Sequence, residues 1–135
     1  MTAFCIALPT DDGKTISPHF GRASRFVVFY VENSRVVARE ERPKPQVPPR
    51  HSHEPGTIRR RVQEMVAPVR ECRVLIVGGM GRPGYEFLTQ QGYEVYLTGG
   101  NVEDAVQAYL AGQLRSDLRR LHDPHHHHHL HEGDG

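Results

Sequence analysis

Residues 73–114 read RVLIVGGMGRPGYEFLTQQGYEVYLTGGNVEDAVQAYLAGQL, and the alternation of apolar runs with turns in this stretch decides the fold. RVLIVGG is an uninterrupted apolar run closed by glycines, the pattern of a strand. RPGYEFLTQQG follows as a short helix, with Pro83 in its first turn and Gly92 as its stop. YEVYLT is a second strand. NVEDAVQAYLAG then carries Asn101 as an N-cap, acids in the first turn, a stripe of Val102, Ala105, Val106, Tyr109 and Leu110, and Gly112 at its end. Strand, helix, strand, helix in this order demands parallel strands joined by right-handed crossovers.

Upstream, Ile58, Val62, Met65, Val66 and Val69 share one helical face from Thr57 onward, and Pro68 ends or kinks that helix. Arg59, Arg60 and Arg61 are expected to turn mostly outward as a solvated face. Before it, residues 42–56 (RPKPQVPPRHSHEPG) hold five prolines and two histidines and read as an exposed loop. RFVVFYVE and SRVVARE are β-branched runs separated by an Asn33–Ser34 hairpin connection, and AFCIALP is a buried strand closed by the turn TDDG. The expected architecture is a single α/β domain over residues 1–121: an antiparallel meander joined to parallel strands, in a mixed five-stranded sheet flanked by helices. Residues 122–135 (HDPHHHHHLHEGDG) are expected to form a flexible His-rich tail with no core-forming face.

The chain has 135 residues, enough for one core, and a formal net charge of +1, which argues against nucleic acid as a partner. No apolar run approaches membrane-spanning length and no basic leader opens the chain, so a cytoplasmic location is expected. Cys5 and Cys72 lie in apolar runs without C-x-x-C spacing; the expectation is two reduced, buried thiols, with neither a zinc knuckle nor a ferredoxin-type cluster. No serine or cysteine sits in a nucleophile elbow, and the central strands carry no carboxylates, so turnover chemistry is not indicated. Asp11 and Asp12 read as turn residues.

Three groups of residues carry binding chemistry. ISPHFGRASRF (16–26) sets His19 beside Phe20, Gly21 and Arg22, where neither a turn nor a core explains the imidazole. GGMGRPG (78–84) contains G-x-G-x-x-G between a strand and a helix, where bare backbone N–H groups suit phosphate or an anionic metal–sulfide cluster; glycines serving only a tight turn explain it comparably well. A nicotinamide site fits less well, because the following strand ends YLTGG without the acidic residue a ribose needs. Histidines form the third group. His51 and His53 stand two apart in the proline-rich loop, and His125, His126, His127, His128, His129 and His131 crowd the tail, where neutral imidazoles take up nickel, zinc or copper. The tail reads as a native metal-binding segment, with a cloning-derived tag as the alternative.

SPHFGRASRF, the HEPG before the first crossover helix, and the stretch from Val74 to Leu114 together resemble the dinitrogenase iron–molybdenum cofactor biosynthesis family, the group of small proteins related to the nitrogenase cofactor carriers and to the orange protein. The resemblance implies a ribonuclease H-like three-layer fold. It also implies a non-catalytic carrier of an iron–sulfur, iron–molybdenum or related metal–sulfide cluster, passing cargo between donor and recipient proteins as a monomer or weak homodimer. Carried over by motif, His19, Phe20, Gly21 and Arg22 form one wall of the site, His53 approaches from the loop, and Gly78, Gly79, Met80 and Gly81 supply backbone donors. The alternatives are a nucleotide- or anion-binding regulatory protein using the Gly78–Gly84 loop, and a docking module that binds nickel or zinc through its tail.

Overall fold

A computed structural model describes residues 3–45 and 55–122, with the side chains of 55–58 outside the described set. Strands β1 (Ala3–Thr10), β2 (Arg25–Glu32) and β3 (Arg35–Pro43) come first, followed by helix α1 (Pro55–Val66) and a 3-10 turn (Ala67–Val69). Strand β4 (Val74–Val77), the two-residue β5 (Met80–Gly81), α2 (Arg82–Gln90), β6 (Glu94–Leu97) and α3 (Val102–Leu110) follow. A second 3-10 turn (Leu118–Arg120) and the two-residue β7 (Leu121–His122) complete the described chain.

The main sheet has the order β3-β2-β1-β4-β6, and β5 pairs with β7 apart from it. β1, β2 and β3 form the expected antiparallel meander; β1–β4 and β4–β6 are parallel. Asn33 and Ser34 both take left-handed backbone angles (φ 52° and 65°), the twist that a two-residue hairpin demands of its central residues. Asn101 caps α3, its Oδ1 accepting from the N–H groups of Glu103 (2.8 Å) and Asp104 (3.1 Å).

Strands β1, β2 and β4 are buried on both faces and carry continuous apolar runs, whereas β3 is largely exposed. Cys5, Ala7, Phe26, Val28, Leu75, Val77 and Leu97 pack on one side under α1 and α2. Ile6, Leu8, Val27, Phe29, Val31, Val74 and Ile76 pack on the other under α3. Alternate residues of each strand feed opposite cores, and the result is three layers. No helix among the described residues is long and apolar enough to cross a membrane.

Three expectations need correction. First, Cys5 and Cys72 form a disulfide, with Cα atoms 4.8 Å apart. The parallel register Ile6↔Val74 brings Cys72 level with the start of β1, and no sequence spacing announces that approach. The expected reducing compartment rested on free thiols and loses that support. Second, the exposed loop starts later than residue 42. Arg42 and Pro43 belong to β3, and Arg42 is held by ion pairs to Glu40 and Glu71 and by hydrogen bonds to the Tyr30 hydroxyl and the Pro68 carbonyl. β3 is an edge strand, where a proline costs no ladder bond on its solvent side. Third, Pro55 and Gly56 are already helical, so α1 begins inside the stretch read as loop.

Candidate functional site

Residues 10–23 form a compact loop that carries His19 to the C-terminal end of β4. Asp12 Oδ1 accepts from Lys14 N–H and Thr15 N–H, each at 2.8 Å, and these bonds hold its carboxyl down at about 2. Asp12 thus serves the turn, whereas Asp11 accepts from Ser24 N–H, 13 residues away, and ties together the two ends of the loop. Ser17 N–H donates to Pro9 O (2.8 Å), and the Ser17 hydroxyl brackets the His19 backbone, accepting from its N–H and donating to its carbonyl. The His19 carbonyl also accepts from Arg22 and Ala23 N–H, closing the turn through Gly21.

This loop seats directly on the glycine loop. Phe20 N–H donates to Gly79 O at 2.9 Å. A Cβ at Gly78 would strike the Ser17 carbonyl oxygen, and one at Gly79 would stand 2.5 Å from Pro18 O. Gly78 and Gly79 are therefore explained by backbone-to-backbone packing, without any ligand. Met80 and Gly81 commit backbone to parallel pairing with Leu121 and His122. The expected row of four bare N–H donors is thus reduced by a strand that sequence patterning did not reveal.

Beside this junction lies a cavity of about 250 Å³ lined by Phe20, Gly21, Arg61, Val62, Met65, Met80, Gly81, Pro83 and Gly84. It unites four of the expected residues (Phe20, Gly21, Met80, Gly81) with a wall from α1 and the opening of α2. Its two loop glycines are not sterically required: a Cβ at Gly21 would meet nothing nearer than Met65 Cε at 3.9 Å, and one at Gly81 nothing nearer than Pro83 Cδ at 3.8 Å. Gly81 also has ordinary extended angles (φ −68°, ψ 145°). Side chains there would narrow the cavity, and glycine keeps it open. Thioethers from Met65 and Met80 supply soft, polarisable lining.

Arg61 corrects the outward reading of the arginine run. Arg59 and Arg60 are exposed, whereas Arg61 is half-buried and lines the cavity. It lies four residues before Met65 and so shares the buried face, a placement the helical period contains once the face is drawn one residue wider. Behind Phe20, Lys44 is 3% exposed with its Nζ 5.4 Å from the Phe20 ring centroid. Burial, and then the Arg61 charge, pull the Lys44 ammonium down to about 8, while Asp11 acts the other way. Two cations thus stand in each other's field at this end of the sheet. Sequence patterning missed Lys44 because it sits within the stretch read as exposed loop.

His19 and Arg22 are exposed and do not line the cavity, although their loop forms its rim. His51 and His53 lie outside the described residues, as do His125, His126, His127, His128, His129 and His131. His122, expected to start a structureless tail, is in β7 instead. The nucleotide alternative gains no acidic residue here either, since β6 ends at Leu97 and is followed by Thr98.

The profile of the family described as dinitrogenase iron-molybdenum cofactor matches residues 2–112. FeMo cofactor biosynthesis protein NifB of Chlorobaculum tepidum is 27% identical over 115 residues, covering 85% of this chain and 26% of that protein, so the chain spans well under half of this relative. An uncharacterized protein of Methanocaldococcus jannaschii is 27% identical over 110 residues, covering 81% of this chain and 87% of its own. Among solved structures, the apo form of the orange protein from Desulfovibrio gigas superposes with a TM-score of 0.60 at 27% identity, covering 84% of this chain and 92% of that one.

Proposed function

The chain belongs to the dinitrogenase iron-molybdenum cofactor family, and from that premise we propose that it binds and carries an anionic metal–sulfide cluster as cargo, without turning it over. The observation that carries this reading is the cavity between Phe20–Gly21, α1 and Met80–Gly84. Its size suits a small inorganic cluster. Its glycines at 21 and 81 let backbone approach the guest closely, Met65 and Met80 offer soft contacts, and Arg61 with Lys44 offsets negative charge. His19 stands at the rim, where an imidazole can ligate a metal atom of the cargo. His53, two residues before α1 in sequence terms, belongs to the same proposal. Iron–sulfur and iron–molybdenum clusters are the cargo class, and donor and recipient proteins of metallocofactor assembly are the partners.

The ribonuclease H-like assignment is part of this proposal too. Its support is a five-stranded order of antiparallel meander followed by two parallel strands.

Anaerobic reconstitution with iron, sulfide and molybdate, followed by visible absorption and metal analysis, tests the reading. Gly81→Val fills the cavity at a backbone position valine adopts without strain. The expected result is cluster uptake by the native chain and its loss in Gly81→Val with unchanged circular dichroism. Uptake that is absent from the native chain, or equal in the two, refutes the reading.

A further inference from the structure

Residues beyond Gly112 fall outside the family match, yet they return to the candidate site. Leu97 N–H donates to Ser116 Oγ (2.9 Å) and Asp117 N–H donates to Leu97 O (2.8 Å), so the extension runs along the outer edge of β6. Asp117 caps the following 3-10 turn, accepting from Arg119 N–H at 3.1 Å. Arg120 Nη1 then donates to the Gly78 carbonyl at 3.1 Å, Leu121 is buried in the core beneath α1 and α2, and β7 pairs with β5. Each contact fixes the residue that follows them all, His122.

That residue faces His19. The two imidazole centroids are 6.1 Å apart with 27° between the ring planes. Both rings are exposed, so a ligand reaches them from solvent. His122 Nε2 lies over the glycine loop, 3.2 Å from where a Gly79 Cβ would stand, on the side where the Pro18 carbonyl also approaches. Two imidazoles that ligate one ion through nitrogens at about 2.0–2.1 Å hold their centroids roughly 5–6 Å apart. The observed separation stands just above that range, and both backbones are already anchored.

We propose that His19 and His122 together ligate one borderline transition-metal centre, so that the C-terminal extension completes a two-imidazole clamp at the rim of the cavity. This deepens the proposed cluster site and shares its position. Neutral imidazole is a ligand for zinc, nickel, copper and iron alike. The metal is either a free divalent ion or an outer metal atom of the sulfide cargo, with its remaining positions open to water or sulfide.

Zinc(II) titrated into the full chain, with histidine-selective nitrogen-15 labelling and long-range proton–nitrogen spectra, reads each imidazole separately from the tail histidines. His19→Gln and His122→Gln assign the two rings. The expected result is that both rings shift on one saturation curve and that either substitution abolishes the response of the other ring. Rings that stay unshifted, or that shift independently, overturn the proposal, provided backbone amide spectra show both variants folded as the native chain. Anaerobic reconstitution separates the two sources: equal loss of cluster in His19→Gln and His122→Gln assigns the centre to the cargo. Coupled zinc shifts with undiminished cluster in His122→Gln assign it to the free ion. Should the native chain take up no cluster while the zinc shifts stay coupled, the carrier reading fails and the clamp stands.

Discussion

Reducing the Cys5–Cys72 bridge should cost this domain about a third or more of a typical fold's stability while leaving the candidate site intact. The bridge joins the start of β1 to the residue two before β4, with a sequence separation of 67. Releasing a closed loop of that length returns about 15 cal/mol/K of chain entropy to the unfolded state, or about 4 kcal/mol at 25 °C. At roughly 4 °C per kcal/mol for a domain of this size, the melting temperature should fall by about 15 °C. The site lies at the other end of β4, beyond Val77, so cargo and zinc binding at temperatures well below the transition should not change. The assay is urea unfolding followed by circular dichroism, oxidised against reduced, with the Cys5→Ala/Cys72→Ala variant as a second route to the open chain. A difference below about 1 kcal/mol, or two titratable thiols in protein denatured without reductant, would refute the reasoning.

Three further outcomes follow from the same contacts. Gly79→Ala places a methyl 2.5 Å from the Pro18 carbonyl oxygen and should lose about 1–3 kcal/mol as the two loops are forced apart, whereas Gly81→Ala, with 3.8 Å of clearance, should fold with near-native stability; chemical denaturation of both variants checks the contrast. Anion binding should weaken as pH rises through about 8, where buried Lys44 gives up its proton, and Lys44→Gln should flatten that dependence in binding isotherms between pH 7 and 9. In the ligand-free protein the sign is opposite. The folded-state value lies below the ordinary 10.5, the unfolded chain holds more protons between about 8 and 10.5, and thermal stability attributable to Lys44 should rise with pH across that window. Finally, Asn101→Ala removes two hydrogen bonds from the opening of α3 and should cost about 1 kcal/mol in urea titration.

Much of the candidate site was legible because its parts are local. The histidine between Pro18 and Phe20, and the glycines after β4, are each visible within a dozen residues, and the structure joins them through the Phe20–Gly79 hydrogen bond. Arg61 was also available in the helical period, one position outside the face of Ile58, Val62, Met65, Val66 and Val69. Lys44 and His122 were not. One is buried by chain from elsewhere despite prolines on both sides, and the other stands at the head of a histidine-rich segment whose composition masks a two-residue strand.

Residue order alone was enough to specify the five strands of the main sheet and the three helices. Periodicity, caps and turns act over a few neighbours, and Asn33–Ser34, Asn101, Pro68 and Gly92 each punctuate the chain where they stand in sequence. Packing settled which distant segments touch: Cys5 with Cys72, Ser17–Pro18 with Gly78–Gly79, and His19 with His122. Those meetings depend on parallel register and on where the extension after Gly112 comes to rest. Neither is encoded in any short window, because each is the sum of burial and hydrogen bonding across the whole sheet.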